Sequence, residues 1–258
     1  MTKPNPQIPS EIRDYLLAAT QSISHVLNEK LLGLYLCGSL VQNDFKTHRS
    51  DIDVLGVVSG ELDEATRAHL ASVLSFETNP VPANGLEVVL FSARAARSPR
   101  LDFPFEFALS TGVGLGTESE PPGTANDMLI DIIHCREAGF TLAGPPAREV
   151  FGPVHQSMLL RALVEELQWH MQEVNRNFDE MTIVNAVLNA ARSLHAAETG
   201  QILSKSEGGR WWLQRYPSDK LVAEALAARK GERTISLDAV HTSNFVEKVI
   251  DQITDLDS

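Results

Sequence analysis

Hydrophobic positions in the first third of the chain alternate between two periods. PSEIRDYLLAATQSISHVL (9–27) repeats its apolar residues every three or four positions, which predicts an amphipathic helix with Ser10 as N-cap. LLGLYLC (31–37) and IDVLGVV (52–58) are continuous apolar runs of strand length, and they predict buried strands. Between them, SLVQNDF predicts one or two helical turns opening directly after Gly38. LDEATRAHLASVL (62–74) returns to helical spacing with Asp63 as its cap, NPVPANG (79–85) reads as a loop, and LEVVLFS (86–92) as a third strand.

The pattern then loosens. Prolines and glycines in residues 98–124 predict irregular segments around a short element. GVGLG (112–116) has the glycine spacing of a dinucleotide fingerprint, but without a strand before it and a helix after it the match is discounted. The second half is helical almost throughout, with predicted helices at 124–139, 159–177, 179–199, 205–215, 219–230 and 236–254, and Gly200 as a stop. Neither an internal repeat nor a low-complexity segment is present. The pattern predicts an α+β protein: a mixed-sheet domain over 1–153 and an all-α helical bundle over 154–258, joined near GPPAREVFGPVHQ.

Composition narrows the function classes. The chain has 258 residues and a formal charge of −12, from 22 basic and 34 acidic side chains. An acidic surface repels phosphate backbones, and the densest basic stretches, 93–100 and 227–233, are short, so nucleic acid is not expected as a partner. Small cations, or a nucleotide with metal ions, suit this balance. No run of about 18 apolar residues occurs and the N-terminus lacks a signal-like apolar region, so the expectation is a cytoplasmic monomer without membrane contact. Cys37 and Cys135 have no metal-ligand spacing and read as small buried hydrophobes. His134, His155, His170 and His195 also lack ligand spacing and are assigned to structure.

One feature resists the strand reading. Asp51 and Asp53 place two like charges on one face of the second strand, while Ile52 and Val54 face the other way. Such a pair is either an exposed strand end or a site that concentrates negative charge. Two adjacent carboxylates repel unless a cation lies between them, and Mg²⁺ suits a site that completes its shell with water and phosphates. Twelve residues earlier, Gly38-Ser39 ends a strand and opens a helix, offering close backbone approach, unpaired N–H groups and a hydroxyl to a phosphate. Together they favour a nucleoside-triphosphate site. Glu87 begins the third strand and can bring a third carboxylate to the same place, although position alone leaves it equally a solvent-facing strand end.

The sequence G-S, D-I-D and a strand-borne Glu resembles the nucleotidyltransferase superfamily with the polymerase-β-like fold. L-x-G-P-P-x-x-E-V-F-x-P-V (142–154) and N-A-V-L-N-A-A-R…T-G-Q-I-L-S-K…R-W-W-L…P (185–217) are similar to the streptomycin/spectinomycin adenylyltransferases, which transfer AMP from ATP to a drug hydroxyl. The resemblance implies two Mg²⁺ ions held by Asp51 and Asp53, with Glu87 as the third carboxylate and the catalytic base. It implies Gly38 and Ser39 near the phosphates, and Arg192 and Lys205 on the nucleotide from the helical domain, across an interdomain cleft. For a cationic acceptor, the nearest aromatic and acidic candidates are Trp169, Phe178, Asp179 and Glu180, while Trp211-Trp212 are assigned to the helical core. FPFEFALSTG has no tryptophan where streptomycin-modifying members carry one, which points to spectinomycin before streptomycin. Two other readings stay open: transfer to another small-molecule or protein acceptor, and a catalytically silent nucleotide-binding regulator of the same fold.

Overall fold

The computed structural model describes residues 6–114, 116–120, 122–124, 128–177, 179–232 and 238–256. By its internal packing the chain divides into two units, Met1–Val154 and His155–Ser258.

In unit 1 the elements run α1 (Ser10–Leu27), β1 (Leu31–Leu36), α2 (Gly38–Val41), β2 (Asp51–Val58), α3 (Glu64–Leu74), β3 (Gly85–Ser92) and α4 (Ala93–Arg97). After them come β4 (Pro104–Phe105), β5 (Phe107–Gly112), β6 (Gly116–Glu120), β7 (Gly123–Thr124), α5 (Met128–Ala138), β8 (Phe140–Ala143) and α6 (Ala147–Val150). Six strands form one mixed sheet in the order β6-β5-β3-β2-β1-β8, and β4 pairs with β7 separately. Among the described residues, β2 and β3 form the sheet's one parallel pair. α3 and the chain after it supply the long crossover that a parallel pair needs.

One face of this sheet is a continuous apolar core. Leu34, Leu36, Ile52, Val54, Val58, Leu86, Val88, Leu90, Phe107 and Leu109 meet the apolar stripe of α1 (Ile12, Leu16, Ile23, Leu27) and Leu70 and Leu74 of α3. The opposite face is divided along its length. At one end Tyr35, Phe91, Phe103 and Phe151 interlock edge to face at centroid distances of 4.8–6.2 Å, so Phe151 of the 142–154 motif is a core residue. The other end carries the carboxylates.

Three expectations need correction. Ser10 is not the cap of α1 but its first residue; Pro9 occupies the N-cap, and no side chain bonds the first turn. Residues 98–124 are not mainly irregular, because β5 and β6 form a hairpin on the main sheet. Phe107, Leu109 and Thr111 of β5 alternate inward, but the run is short and framed by Pro104 and Gly112. β6 (GTESE) is an edge strand with no buried residue and hence no hydrophobic signal. GVGLG does follow a strand, but it opens the β5–β6 hairpin rather than a helix, so it remains no fingerprint. β8, four residues long, pairs with β1 and was likewise illegible.

Unit 2 contains α7 (Gln156–Arg176), α8 (Glu180–Thr199), α9 (Lys205–Arg215), α10 (Lys220–Arg229) and α11 (Ala239–Asp255). Their ends follow capping chemistry. Asp179, Asp219 and Asp238 accept first-turn N–H groups, Ser204 and Glu207 form a reciprocal capping box, and Gly200 ends α8 at φ 75°. Trp212 is buried against Tyr216 and Phe245, whereas Trp211 lies half-buried beside His195, so only one of the pair is core. The expected start of the last helix at 236 lies outside the described residues. No helix among the described residues is long and apolar enough to cross a membrane.

Candidate active site

The chain leaves β1 beside the two aspartates: Cys37 N–H donates to the Asp53 carbonyl at 2.8 Å. Gly38 then turns it into α2 with φ +63°, a conformation that favours glycine. Space makes the same demand, since a Cβ on Gly38 would lie 1.7 Å from Asp53 Oδ2. The Asp53 carboxylate therefore lies directly on the glycine backbone at the opening of α2. In the following residue the Ser39 hydroxyl is buried with no hydrogen-bond partner among the described residues. A buried hydroxyl without a partner costs about 1–3 kcal/mol, so its position suits an incoming acceptor such as a phosphate oxygen.

Asp51 and Asp53 share one face of β2, both half-buried, with fully buried Ile52 between them facing the core. Strand pairing extends this row sideways. Asp53 stands in register with Glu87 on β3, and Glu87 with Ser110 on β5. Neighbouring strands lie about 4.8 Å apart, so side chains in register project together from one face. Glu87 is exposed there. Asn84 Nδ2 donates to Asp51 Oδ1 at 2.9 Å. Beneath the row, burial together with the neighbouring Cys135 thiol, and the Asp131 and Asp53 carboxylates, raises the Cys37 thiol well above its ordinary value. Both cysteines are buried free thiols, in keeping with their reading as small hydrophobes.

These groups can serve a divalent cation that arrives with a nucleotide. Mg²⁺ commonly takes only one or two protein carboxylates and fills its shell with water and phosphate oxygens. Asp51 and Asp53, beside a buried unpartnered hydroxyl, fit that pattern. They do not close with Glu87 into a preformed cage: no group of three or more His, Cys, Asp or Glu side chains among the described residues is gathered to hold a metal by itself.

A second polar cluster lies within unit 2. Arg192 Nη2 donates to Glu166 Oε1 at 3.3 Å, and His170 Nε2 lies 3.8 Å from the same oxygen. The Asn189 amide Nδ2 contacts the same His170 Nε2, at 2.5 Å. Lys205 Nζ donates to Asn185 Oδ1 at 2.9 Å and adds its charge to the cluster. Burial acts to raise the Glu166 pKa, but the His170 hydrogen bond, the Arg192 charge, and then His170 and Lys205 overcome it and hold the carboxyl at about 2.

The domain family "Aminoglycoside adenylyltransferase, C-terminal domain" matches residues 149–254. The aminoglycoside (3'')(9) adenylyltransferase of Shigella flexneri is 30% identical over 95% of this chain and 96% of its own length. The chain belongs to the aminoglycoside adenylyltransferases. A more distant relative, the spectinomycin 9-adenylyltransferase of Staphylococcus aureus, is 24% identical over 88% of this chain and 87% of its own. The fold is that of the spectinomycin adenyltransferase AAD(9) from Enterococcus faecialis, crystallised with ATP and spectinomycin. That likeness has TM-score 0.75 at 16% identity, over 94% of this chain and 99% of that one.

Within this adenylyltransferase, Gly38, Ser39, Asp51, Asp53 and Glu87 gather at one end of the unit 1 sheet, and Arg192 and Lys205 gather around Glu166 and Asn185 in unit 2. Of the acceptor candidates, Asp179 caps α8, accepting from Thr182 N–H at 2.7 Å, and Glu180 follows in the first turn. Trp169 is exposed on α7 against His170. Phe178 lies outside the described residues. Sequence reasoning missed Glu166, Asn84, Asn185 and Asn189. Glu166 had a usable signal, since it falls three residues after Leu163 and four before His170, within the inward stripe of α7. Asn84 had none, because Asn-Gly before a strand reads as turn chemistry.

Proposed function

We propose that this chain transfers AMP from ATP to a hydroxyl of an aminocyclitol or aminoglycoside, with spectinomycin the first acceptor to expect and streptomycin the second. The alignment of Asp53 with Glu87 across parallel strands, beside Ser39 and Asp51, carries the proposal. The names of the relatives, which include spectinomycin as an acceptor, support it.

Asp51 and Asp53 would hold Mg²⁺ delivered with ATP. When bound, the metal supplies Lewis-acid charge at the α-phosphoryl group and the departing pyrophosphate. Ser39 and the backbone at Gly38 position the triphosphate, and Arg192 and Lys205 supply positive charge to it. Glu87, exposed on the same face as the aspartates, takes the proton of the acceptor hydroxyl as its oxygen attacks the α-phosphorus in line. The new P–O bond joins AMP to the acceptor, the bond to the β-phosphate oxygen breaks, and pyrophosphate departs with its electron pair. The chain's negative charge attracts a polycationic acceptor.

The test is pyrophosphate release from ATP across a panel containing spectinomycin, streptomycin and other aminoglycosides, on wild type and Glu87→Gln. Drug-dependent release is expected from the wild type. The variant should lose about 10²–10⁴-fold in turnover while keeping its ATP affinity. Release from wild type that no member of the panel stimulates would sink the acceptor class. Equal loss of ATP binding and turnover in Glu87→Gln would make Glu87 a ligand rather than a base.

A further inference from the structure

We propose that Asn84 is a positioning residue that fixes the Asp51 carboxylate so that one of its oxygens is kept for a divalent cation. The inference rests on the function proposed above, and it concerns how this chain presents its ligand pair.

Asn84 is anchored by its backbone on both sides. Its N–H donates to the Ser50 carbonyl at 3.2 Å, immediately before Asp51, and its own carbonyl accepts from Val113 N–H at 3.4 Å. The segment can approach no closer. A Cβ on Gly112 would lie 2.5 Å from the Asn84 carbonyl oxygen, and one on Gly85 would lie 2.7 Å from Asp51 Oδ1 and 3.0 Å from the Thr111 carbonyl. Two glycines, in register with each other and with Asp51, thus let the Asn84 loop close over the N-terminal end of β2. From that fixed backbone the side-chain amide donates to Asp51 Oδ1 at 2.9 Å.

The chemistry of the donor matters. A carboxylate rotates about its last bond, and a ligand that must present one oxygen loses that freedom when metal binds. An amide N–H on Oδ1 removes the freedom beforehand and leaves Oδ2 for the cation. Lysine or arginine at the same place would orient Asp51 equally well but would neutralise it and compete with the metal. An amide orients without neutralising. It also places a dipole where Asp51 and Asp53 repel each other, easing the apo state by means that do not oppose metal binding.

The experiment measures Mn²⁺ binding by electron paramagnetic resonance on the full chain with saturating ATP, for wild type, Asn84→Ala and Asn84→Leu. Leucine keeps the branched shape of asparagine at Cγ, in a somewhat larger volume, but has no donor. Both variants are expected to weaken Mn²⁺ by about 10-fold, the lower end of the range for a hydrogen bond to a charged group. The half-saturating Mg²⁺ concentration for turnover should rise in parallel, while turnover at saturating Mg²⁺ stays within about 3-fold of wild type. Unchanged Mn²⁺ affinity in either variant would overturn the proposal, as would weakening by alanine but not by leucine, which would signify lost packing. Failure of both to fold would make Asn84 structural and overturn it too. A wild type that binds no Mn²⁺ with ATP would instead count against the proposed function, so the two failures are distinct.

Discussion

Glu166→Gln probes the unit 2 cluster through stability rather than activity. The wild-type carboxylate sits on α7 with its side chain 15% exposed, facing Arg192 at 19%. Its pKa lies at about 2 instead of the ordinary 4.5. A group whose folded pKa is depressed contributes stability above its unfolded pKa and loses it as pH falls through the folded value. Here the contribution is complete above about pH 5 and fades toward pH 2. The difference between the two values is worth about 3 kcal/mol at pH 7, and about half of that should remain at pH 3. Glutamine has no charge to offer Arg192 at any pH, so the variant should be less stable by about 3 kcal/mol at neutral pH, with the gap narrowing steadily in acid. Removing one partner of a buried ion pair commonly costs about 3–5 kcal/mol, which agrees.

All three tryptophans, Trp169, Trp211 and Trp212, lie in unit 2, so their fluorescence follows this unit's unfolding without contribution from unit 1. Urea titrations of both proteins between pH 7 and pH 3 give the difference directly, provided the slope is shared. A gap below about 1 kcal/mol at pH 7, or one that does not narrow by pH 3, would refute the reasoning, because a charge-linked contribution must titrate.

Two further outcomes concern unit 1. Asp51→Asn or Asp53→Asn should abolish adenylyl transfer while thermal stability in EDTA stays level or rises, since each removes one of two repelling charges; near-native turnover in either variant would displace both from the site. Ser39→Ala removes a buried hydroxyl that has no partner among the described residues, so melting temperature should hold or rise while calorimetric ATP affinity falls about 3- to 10-fold; a lowered melting temperature would mean that the hydroxyl has a structural partner.

How far the site was legible in the sequence follows from which interactions are local. Asp51 and Asp53 could be read because a period of two fixes their common face, and Gly38 because a strand that turns into a helix marks the place where glycine is needed. The register of Asp53 with Glu87 could not be read, because parallel pairing is set by the whole crossover and not by either strand. β6 and β8 escaped for another reason: an exposed edge and a four-residue strand contribute little apolar pattern. The unit 2 cluster lay between. Arg192 and Lys205 came only from resemblance, and neither residue's own surroundings foretold the carboxylate that they share. Glu165 and Glu166 are adjacent and chemically alike, yet helical phase sends Glu166 toward Arg192.

Both clusters handle crowded like charge, and they do so by opposite means. In unit 2, two cations are held in place by a counter-charge, Glu166, which is why the arrangement is stable in isolation and why its stability depends on pH. In unit 1 the like charges are carboxylates; a neutral asparagine amide lies on Asp51 Oδ1, and the missing Cβ atoms of Gly38 and Gly85 leave room for the Asp53 and Asp51 oxygens. A cationic side chain in place of Asn84 would neutralise Asp51 and, under the proposed function, compete with the metal. The amide leaves the charge of Asp51 in place, so under the proposed function a cation held by Asp51 and Asp53 would relieve their mutual repulsion on arrival. The room left for the carboxylate oxygens accounts for the glycines better than conformation alone. Of these two, Gly38 alone has the positive φ that favours glycine; Gly85 is needed for the space that an aspartate oxygen fills.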